Sequence, residues 1–273
     1  EVALDVTRPD VAAFIDEMVS EHEFERDALV ETLGKARVKQ SIIDKISAPA
    51  EKKLTWGDYR KIFLTRERID AGTEFWLENR EMLERIERET GVPVAMIVGI
   101  IGVETYYGRI TGKDRVIDAL VTLAFEYPRR ARFFRSELEH FLVLAHEEEL
   151  DATVPVGSYA GAMGRPQFMP SSFRAYAIDA TGDGKRDIWN NWADTAGSVA
   201  NYFVEHGWKP GEEVVARAIA ACPIPVISAV GSSSSTSRPR RRSPPRVGRR
   251  GSSQPLTCPS STSRISLRLL MTV

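Results

Sequence analysis

Two short stretches of this chain place oxygen-bearing side chains where chemistry could use them. The first is the run Val94-Ala-Met-Ile-Val-Gly-Ile-Ile-Gly-Val103, which is closed by the carboxylic acid Glu104. Ionising a carboxyl at the end of ten apolar residues costs solvation. Its pKa should therefore rise, to about 6 on the pattern of general acids held in hydrophobic pockets. An acid still protonated near neutral pH can protonate a glycosidic oxygen. The competing reading is structural, a helix-end carboxylate paired with Arg109 or Arg115. The second stretch runs from Asp179 to Trp189, with Asp179, Thr181 and Asp183 at positions 1, 3 and 5 of an EF-hand-like loop and Gly184 at the sharp turn. Oxygen ligands at alternate positions suit a hard cation such as calcium. Lys185 at position 7 would offer its backbone carbonyl, and Asp187 at position 9 could bind directly or through water. Asn190 stands where the bidentate Glu belongs, so a metal-free turn is the alternative.

The elements that must position these groups read as helices. Val11, Phe14, Ile15, Met18 and Val19 form one apolar stripe behind Pro9. Shorter helical patterns follow at Ala28–Leu33 and Ser41–Ile46. The pattern then predicts one long helix from about Arg66 to Thr90, with Ile69, Phe75, Trp76, Met82, Leu83 and Ile86 on its inner side. Gly91 stops it and Pro93 starts the next. That next helix, apolar all round, should be buried on every side and is too short to span a bilayer. Further helices are expected at about 131–149, 171–178 and 194–206. No period-2 strand pattern stands out, so the fold class is mainly α.

Composition divides the chain. From Cys222 onward there are nine Arg and no acid or Lys, so that segment carries +9. The whole sums to −1, which leaves −10 for residues 1–221. Both cysteines, Cys222 and Cys258, lie in the basic segment, so the acidic body offers neither a disulfide nor a thiolate site. Residues 222–273 are rich in Ser, Arg and Pro and should not bury enough surface to order themselves. An anionic-polymer binder and an out-of-frame reading of a GC-rich gene are the two explanations, and no nucleic-acid partner is expected. The first residue is Glu1 rather than Met, which points to a processed or truncated product; any export signal or anchor would lie upstream.

Several words in series carry a resemblance. Gly99-Ile-Ile-Gly-Val-Glu-Thr-x-x-Gly-Arg109 is followed by Asp118-Ala-Leu-x-Thr-Leu123 and Tyr127-Pro-Arg-Arg-Ala131. Then come Gly157-Ser-Tyr-Ala-Gly-Ala-Met-Gly164, Gln167-Phe-Met-Pro-Ser-Ser172 and Gly197-Ser-Val-Ala-Asn-Tyr-Phe203. In this order and spacing the chain resembles the lytic murein transglycosylase B family over residues 5–215. The resemblance implies a lysozyme-like α-helical fold, with residues 1–90 as a helical N-terminal region packed on a catalytic core at 91–215.

The resemblance also implies a reaction. Glu104 would protonate the oxygen between N-acetylmuramic acid and N-acetylglucosamine in peptidoglycan. It would then take a proton from the muramic acid C6 hydroxyl, which closes onto C1 to give a 1,6-anhydro sugar. One group serving as acid and then base needs a pKa near the working pH, and no second carboxylate of the kind hydrolases use stands out in the matching words. By the same resemblance Tyr59, Arg129, Arg130, Ser158, Met163, Gln167 and Phe168 would line the glycan groove, the arginines meeting carboxylates and Met163 and Phe168 meeting sugar faces. Asp194 would close a structural calcium site with Asp179, Thr181, Asp183 and Lys185, and no organic cofactor is implied. The setting would be the periplasm, with glycan strands and other cell-wall synthesis or remodelling proteins as candidate partners and the membrane reached only through an anchor outside this chain.

Two departures stand against the family pattern. Arg165-Pro166 replaces an aromatic and a Gly before Gln167, and Pro166 could distort that loop. From about Ala218 the family's further lobe has no counterpart, so apolar surface should be exposed, and a chain carrying that lobe should be more active and more soluble. Three alternatives remain: a goose-lysozyme-like hydrolase, a non-catalytic wall-binding or scaffold protein, and a calcium-responsive switch.

Overall fold

The computed structural model describes residues 1–47 and 54–214. The basic segment at 222–273, and the loss of the lobe after Ala218, lie outside the described residues. Among those described, eleven helices and four two-residue strands succeed one another, and residues 1–211 belong to one compact unit.

The sequence rules for helix ends hold here. Pro9 opens α1 (Pro9–His22), whose Val11, Phe14, Ile15 and Met18 are buried. Helices α2 (Arg26–Gly34) and α3 (Gln40–Ser47) follow. Thr55 caps α4 (Trp56–Phe63) by accepting from the Asp58 N–H, and Thr65 caps α5 (Arg66–Glu78) by accepting from that of Arg68. The long helix expected at 66–90 is instead two, α5 and α6 (Arg80–Thr90). Asn79 breaks it: its side-chain amide donates to the Phe75 carbonyl at 2.9 Å, the group that its own backbone N–H also uses. The break also changes the inner face, for Ile69 and Trp76 are 53% and 39% exposed. Gly91 ends α6 in the left-handed region, as its position before Pro93 suggested.

Helix α7 (Val94–Thr105) is not buried all round. Val94, Ile97, Val98 and Ile101 point inward, whereas Ala95 and Gly99 are exposed. Helix α8 (Val116–Glu126), not anticipated from periodicity, has the deepest burial: Val116 to Ala124 are all buried. Helices α9 (Ala131–Glu147), α10 (Pro170–Tyr176) and α11 (Trp192–Glu205) match the expected segments within a few residues.

The apolar side chains gather in two clusters. One joins α1–α3 to α8, α9 and the 160–173 segment; the other joins α5, α6, α7 and α11. Strands β1 (Val2–Ala3) and β2 (Arg37–Val38) pair antiparallel, as do β3 (Asp114–Arg115) and β4 (Val156–Gly157). Gly157 also bridges to Met163, and Met163 to Phe168, so residues 156–168 form a small folded-back sheet after β3.

Candidate active site

Glu104 sits in the last turn of α7, one residue before the end of an apolar helix held between α5, α6 and α11. Its carboxyl is half-buried, and burial alone pushes its pKa up to about 8. That is well beyond the rise to about 6 expected from sequence, because among the described residues no cation or hydrogen-bond donor offsets the desolvation. The suggested structural partners are engaged elsewhere: Arg109 lies 3.9 Å from Glu74, and Arg115 pairs with Asp118 at 2.7 Å. Glu104 is thus a protonated acid at neutral pH with no internal claim on its proton.

The chain turns sharply after this acid. Tyr106, Tyr107 and Gly108 all have positive φ (50°, 57° and 78°), which ends the helix and folds Tyr107 back onto Phe75 in a stack with centroids 5.5 Å apart. Room for the Tyr107 ring comes from two glycines. A Cβ on Gly72 or on Gly102 would lie 2.3 or 2.5 Å from its Oη, which explains why Gly102 stands in the Gly-Val-Glu-Thr word. Arg68 of α5 donates to the Gly102 carbonyl at 2.9 Å and lies over the Tyr106 ring. An open hollow of about 850 Å³ beside α5 is lined by Tyr106 and Arg109 among others, though not by Glu104.

Thr105, fully buried, links the turn to the loop that carries Gln167. Its hydroxyl lies 3.0 Å from the Arg165 carbonyl and 3.3 Å from that of Ile101, and it accepts from the Gly108 N–H at 3.1 Å. The Arg165-Pro166 departure is accommodated in this loop. Arg165 stacks over Trp192 at 3.7 Å and donates to the Asn190 carbonyl, and Pro166 is buried. Gln167, in the left-handed region, donates its amide to the carbonyls of Gly164 (2.9 Å) and Thr111 (3.2 Å). Its side-chain carbonyl is left available as an acceptor.

The other sequence candidates divide. Ser158 accepts from the N–H groups of Ala160 and Ala162 and so shapes its own turn. Met163 and Phe168, expected to touch sugar faces, are 0% and 3% exposed. Their mutual bridge turns them into the core, where Phe168 meets Tyr202, so they support the loop from beneath. Tyr59 is half-buried on α4 between Trp56 and Phe63. Arg129 and Arg130 lie on the turn between α8 and α9; neither forms an ion pair among the described residues, and Arg130 stacks on Phe133 at 4.4 Å. Sequence reasoning missed Thr105, Tyr107 and Arg68. Thr105 and Gly102 were legible as parts of the Glu-Thr word, but Arg68 had no signal beyond its type.

The 179–194 loop is ordered by its own carboxylates. Asp179 accepts from the N–H groups of Thr181, Gly182, Asp183 and Gly184, and Asp194, 0% exposed, from those of Ala180 and Asp187. Lys185 donates its N–H to Asp183, which leaves its carbonyl as the group available to a cation. Burial chiefly, with the charges of Asp179 and Asp183 adding, raises the Asp194 pKa. The acids are not drawn into a tight cluster: among the described residues, the metal-type side-chain atoms within 4.8 Å of one another are those of Glu21, His22 and Glu139. Yet none of Asp179, Asp183, Asp187 and Asp194 forms an ion pair among the described residues. Carboxylates with no cationic side chain to pair with, beside a Gly184 turn, suit a hard cation.

A match to the transglycosylase SLT domain model spans residues 7–254. The chain belongs to the transglycosylase SLT domain family. It is 44% identical over 224 residues to the membrane-bound lytic murein transglycosylase B of Escherichia coli K12, a span that covers 79% of this chain and 62% of that protein. The chain therefore matches less than two thirds of that relative's length. Among solved structures, the soluble lytic transglycosylase SltB1 of Pseudomonas aeruginosa is 53% identical with a TM-score of 0.73, over 75% of this chain and 69% of that one. The Escherichia coli lytic transglycosylase Slt35, in a structure with calcium, is 44% identical with a TM-score of 0.72, over 78% and 68%. The mainly α, lysozyme-like architecture expected from sequence is thus that of the family.

Proposed function

We propose that this chain is a peptidoglycan lytic transglycosylase in which Glu104 is the sole acid and base. The observation that carries the proposal is an unpartnered carboxyl at the end of an apolar helix, protonated up to about pH 8 by burial alone. In that state it donates to the oxygen linking muramic acid to the next N-acetylglucosamine. Loss of the proton leaves a carboxylate that its surroundings disfavour, hence a strong base for the C6 hydroxyl as that oxygen closes onto C1. Proton and charge balance across the two steps, no water is added, and the product is a 1,6-anhydromuramyl end. Supporting roles follow the geometry. Gln167 offers its carbonyl to an acetamido N–H, Ser158 holds the adjoining turn, and Arg129 and Arg130, without an ion pair among the described residues, supply cations for substrate carboxylates. Tyr59, between Trp56 and Phe63, offers a ring for stacking on sugar.

Mass spectrometry of murein digested by the chain tests the reading. Products should be lighter by one water than those of a hydrolase such as goose lysozyme. Hydrolytic products would replace the transglycosylase reading, and no products at all would favour a wall-binding or scaffold role.

Asp179, Thr181, Asp183, the Lys185 carbonyl and Asp194 would hold calcium, with Asp187 beside them. The ion would draw these carboxylates together, neutralise them and stiffen the loop in front of α11. At a calcium concentration 100-fold above its Kd the folded state should gain about 2.7 kcal/mol. A melting temperature indifferent to chelator and to Asp194→Asn would remove the ion from the account. No described helix is long and apolar enough to cross a membrane. The substrate places the protein in the periplasm, with glycan strands as its partner.

A further inference from the structure

Of the two polar side chains on α7, Thr105 is the fully buried one, and its hydroxyl makes the hydrogen bond that joins this helix to the 164–167 loop. We propose that Thr105 is a positioning residue for glycan cleavage, its hydroxyl fixing the turn that carries Glu104 against the loop that carries Gln167. The proposal rests on the transglycosylase reading of Glu104 and adds a residue to it.

Three contacts meet at this oxygen. The Gly108 N–H donates to it, which pins the run of left-handed residues Tyr106, Tyr107 and Gly108 behind the acid. Its single proton is shared between the Ile101 carbonyl, one turn back along α7, and the Arg165 carbonyl at the shorter distance. The far side of the loop is already anchored: the Arg165 N–H donates to the Ile188 carbonyl, and its guanidinium is clamped between Trp192 and the Asn190 carbonyl. The loop is therefore held to the 188–192 segment by several contacts and to α7 by this hydroxyl. A shape-matched side chain without the hydroxyl would leave a backbone N–H and a carbonyl unsatisfied in the interior. The turn and the loop would then be free to part.

The chemistry makes such a link consequential. A single carboxyl that gives a proton and later takes one must hold its place relative to the sugar through both steps, and a misplacement of about 1 Å can cost about 100-fold in rate. Ground-state binding spread along a groove would be little changed. A positioning role therefore predicts loss in kcat with KM nearly unchanged.

The test compares Thr105→Val, Thr105→Ser and Arg165→Ala with the unaltered chain in kcat and KM on murein glycan, at a temperature well below each melting transition. Thr105→Val should lose about 30-fold in kcat with KM within about twofold, Thr105→Ser should recover to within about threefold, and Arg165→Ala should lose a smaller factor of about 3. Full kcat in Thr105→Val, equal impairment of the Ser variant, or a loss confined to KM would each overturn the proposal. Should Thr105→Val not fold, Thr105→Ser and Arg165→Ala decide: a retained kcat in the first with a reduced one in the second supports the link, and an unreduced kcat in Arg165→Ala refutes it. Glu104→Gln run alongside separates the two levels. If that variant cleaves normally the underlying reading fails, whereas an inactive Glu104→Gln beside a fully active Thr105→Val defeats the positioning role alone.

Discussion

Two carboxylates are drawn into this molecule within fifteen residues of each other, and their surroundings treat them in opposite ways. Asp118, in the first turn of α8, is 0% exposed and saturated with donors. It accepts from the Arg37 N–H at 2.8 Å and from two nitrogens of Arg115 at 2.9 and 2.7 Å, and it pairs with Lys39 at 3.0 Å. Glu104, in the last turn of α7, keeps some access to solvent and has no donor among the described residues. Asp118 is therefore a structural charge that stitches β2 to α8, helped by Thr122, which accepts from the Lys39 N–H. Burial holds the Glu104 proton on, which is the state the proposed reaction needs. Burial alone does not single out a candidate acid; burial without a partner does.

The comparison is broken most severely at Glu104. Glu104→Gln keeps the shape and removes the proton cycle, so turnover should fall by about 10³-fold with little loss of folding. An unaltered rate of anhydro-product release would put the acid elsewhere. Asp118→Asn should do the reverse. It leaves the α7 turn intact but uncouples Arg115 and Lys39, so stability should fall by about 3 kcal/mol in denaturant titrations. Activity per folded molecule should persist.

The pH dependence sharpens the same contrast. A glutamate whose folded pKa is about 8, against 4.5 for a free side chain, binds its proton more tightly in the folded state. Its effect on stability is thus absent below about pH 4.5, and stability is progressively lost as pH climbs from there to about 8, beyond which the loss is complete. Near pH 7 the cost should be about 3 kcal/mol. Glu104→Gln should therefore melt higher than the parent at pH 7 and alike at pH 4.5. Equal melting temperatures at both values would mean that the carboxyl is better solvated than its position suggests. Turnover, which needs the protonated form, should decline about tenfold per unit above pH 8.

How much of this was legible depended on whether the signal was local. The helix at 94–105, its terminal acid and the punctuation at Gly91 and Pro93 could be read directly, because apolar runs and backbone breakers act within a few residues. The division at Asn79 could not, since it turns on one side-chain amide sharing the Phe75 carbonyl with a helical N–H. Nor could the burial of Met163 and Phe168 be read: a motif word gives residue types but not which face a folded-back strand presents. Asp118 is the most instructive miss. It stood in a family word with no role read for it, and its donors come from residues 37, 39 and 115, of which only the fold brings the first two to it. Its role and that of Glu104 were separable only once their neighbours were known.

The smallest effect belongs to Arg109, the cation that sequence offered as a partner for Glu104. It lies instead 3.9 Å from Glu74, both side chains more than half exposed (54% and 66%), and over the Tyr106 ring. Exposed pairs of this kind contribute less than about 1 kcal/mol, so Arg109→Ala should change stability by no more than that. If Arg109 did neutralise Glu104, its removal would push the acid's pKa higher still and carry the alkaline limb of the turnover profile upward with it. The structure requires that limb to stay within about 0.3 unit of its original position, since what raises the pKa is desolvation by α7 and its neighbours and not the balance of nearby charges. A larger alkaline displacement in Arg109→Ala would show that the acid has a cationic partner during turnover, and the contrast with Asp118 would then be one of degree.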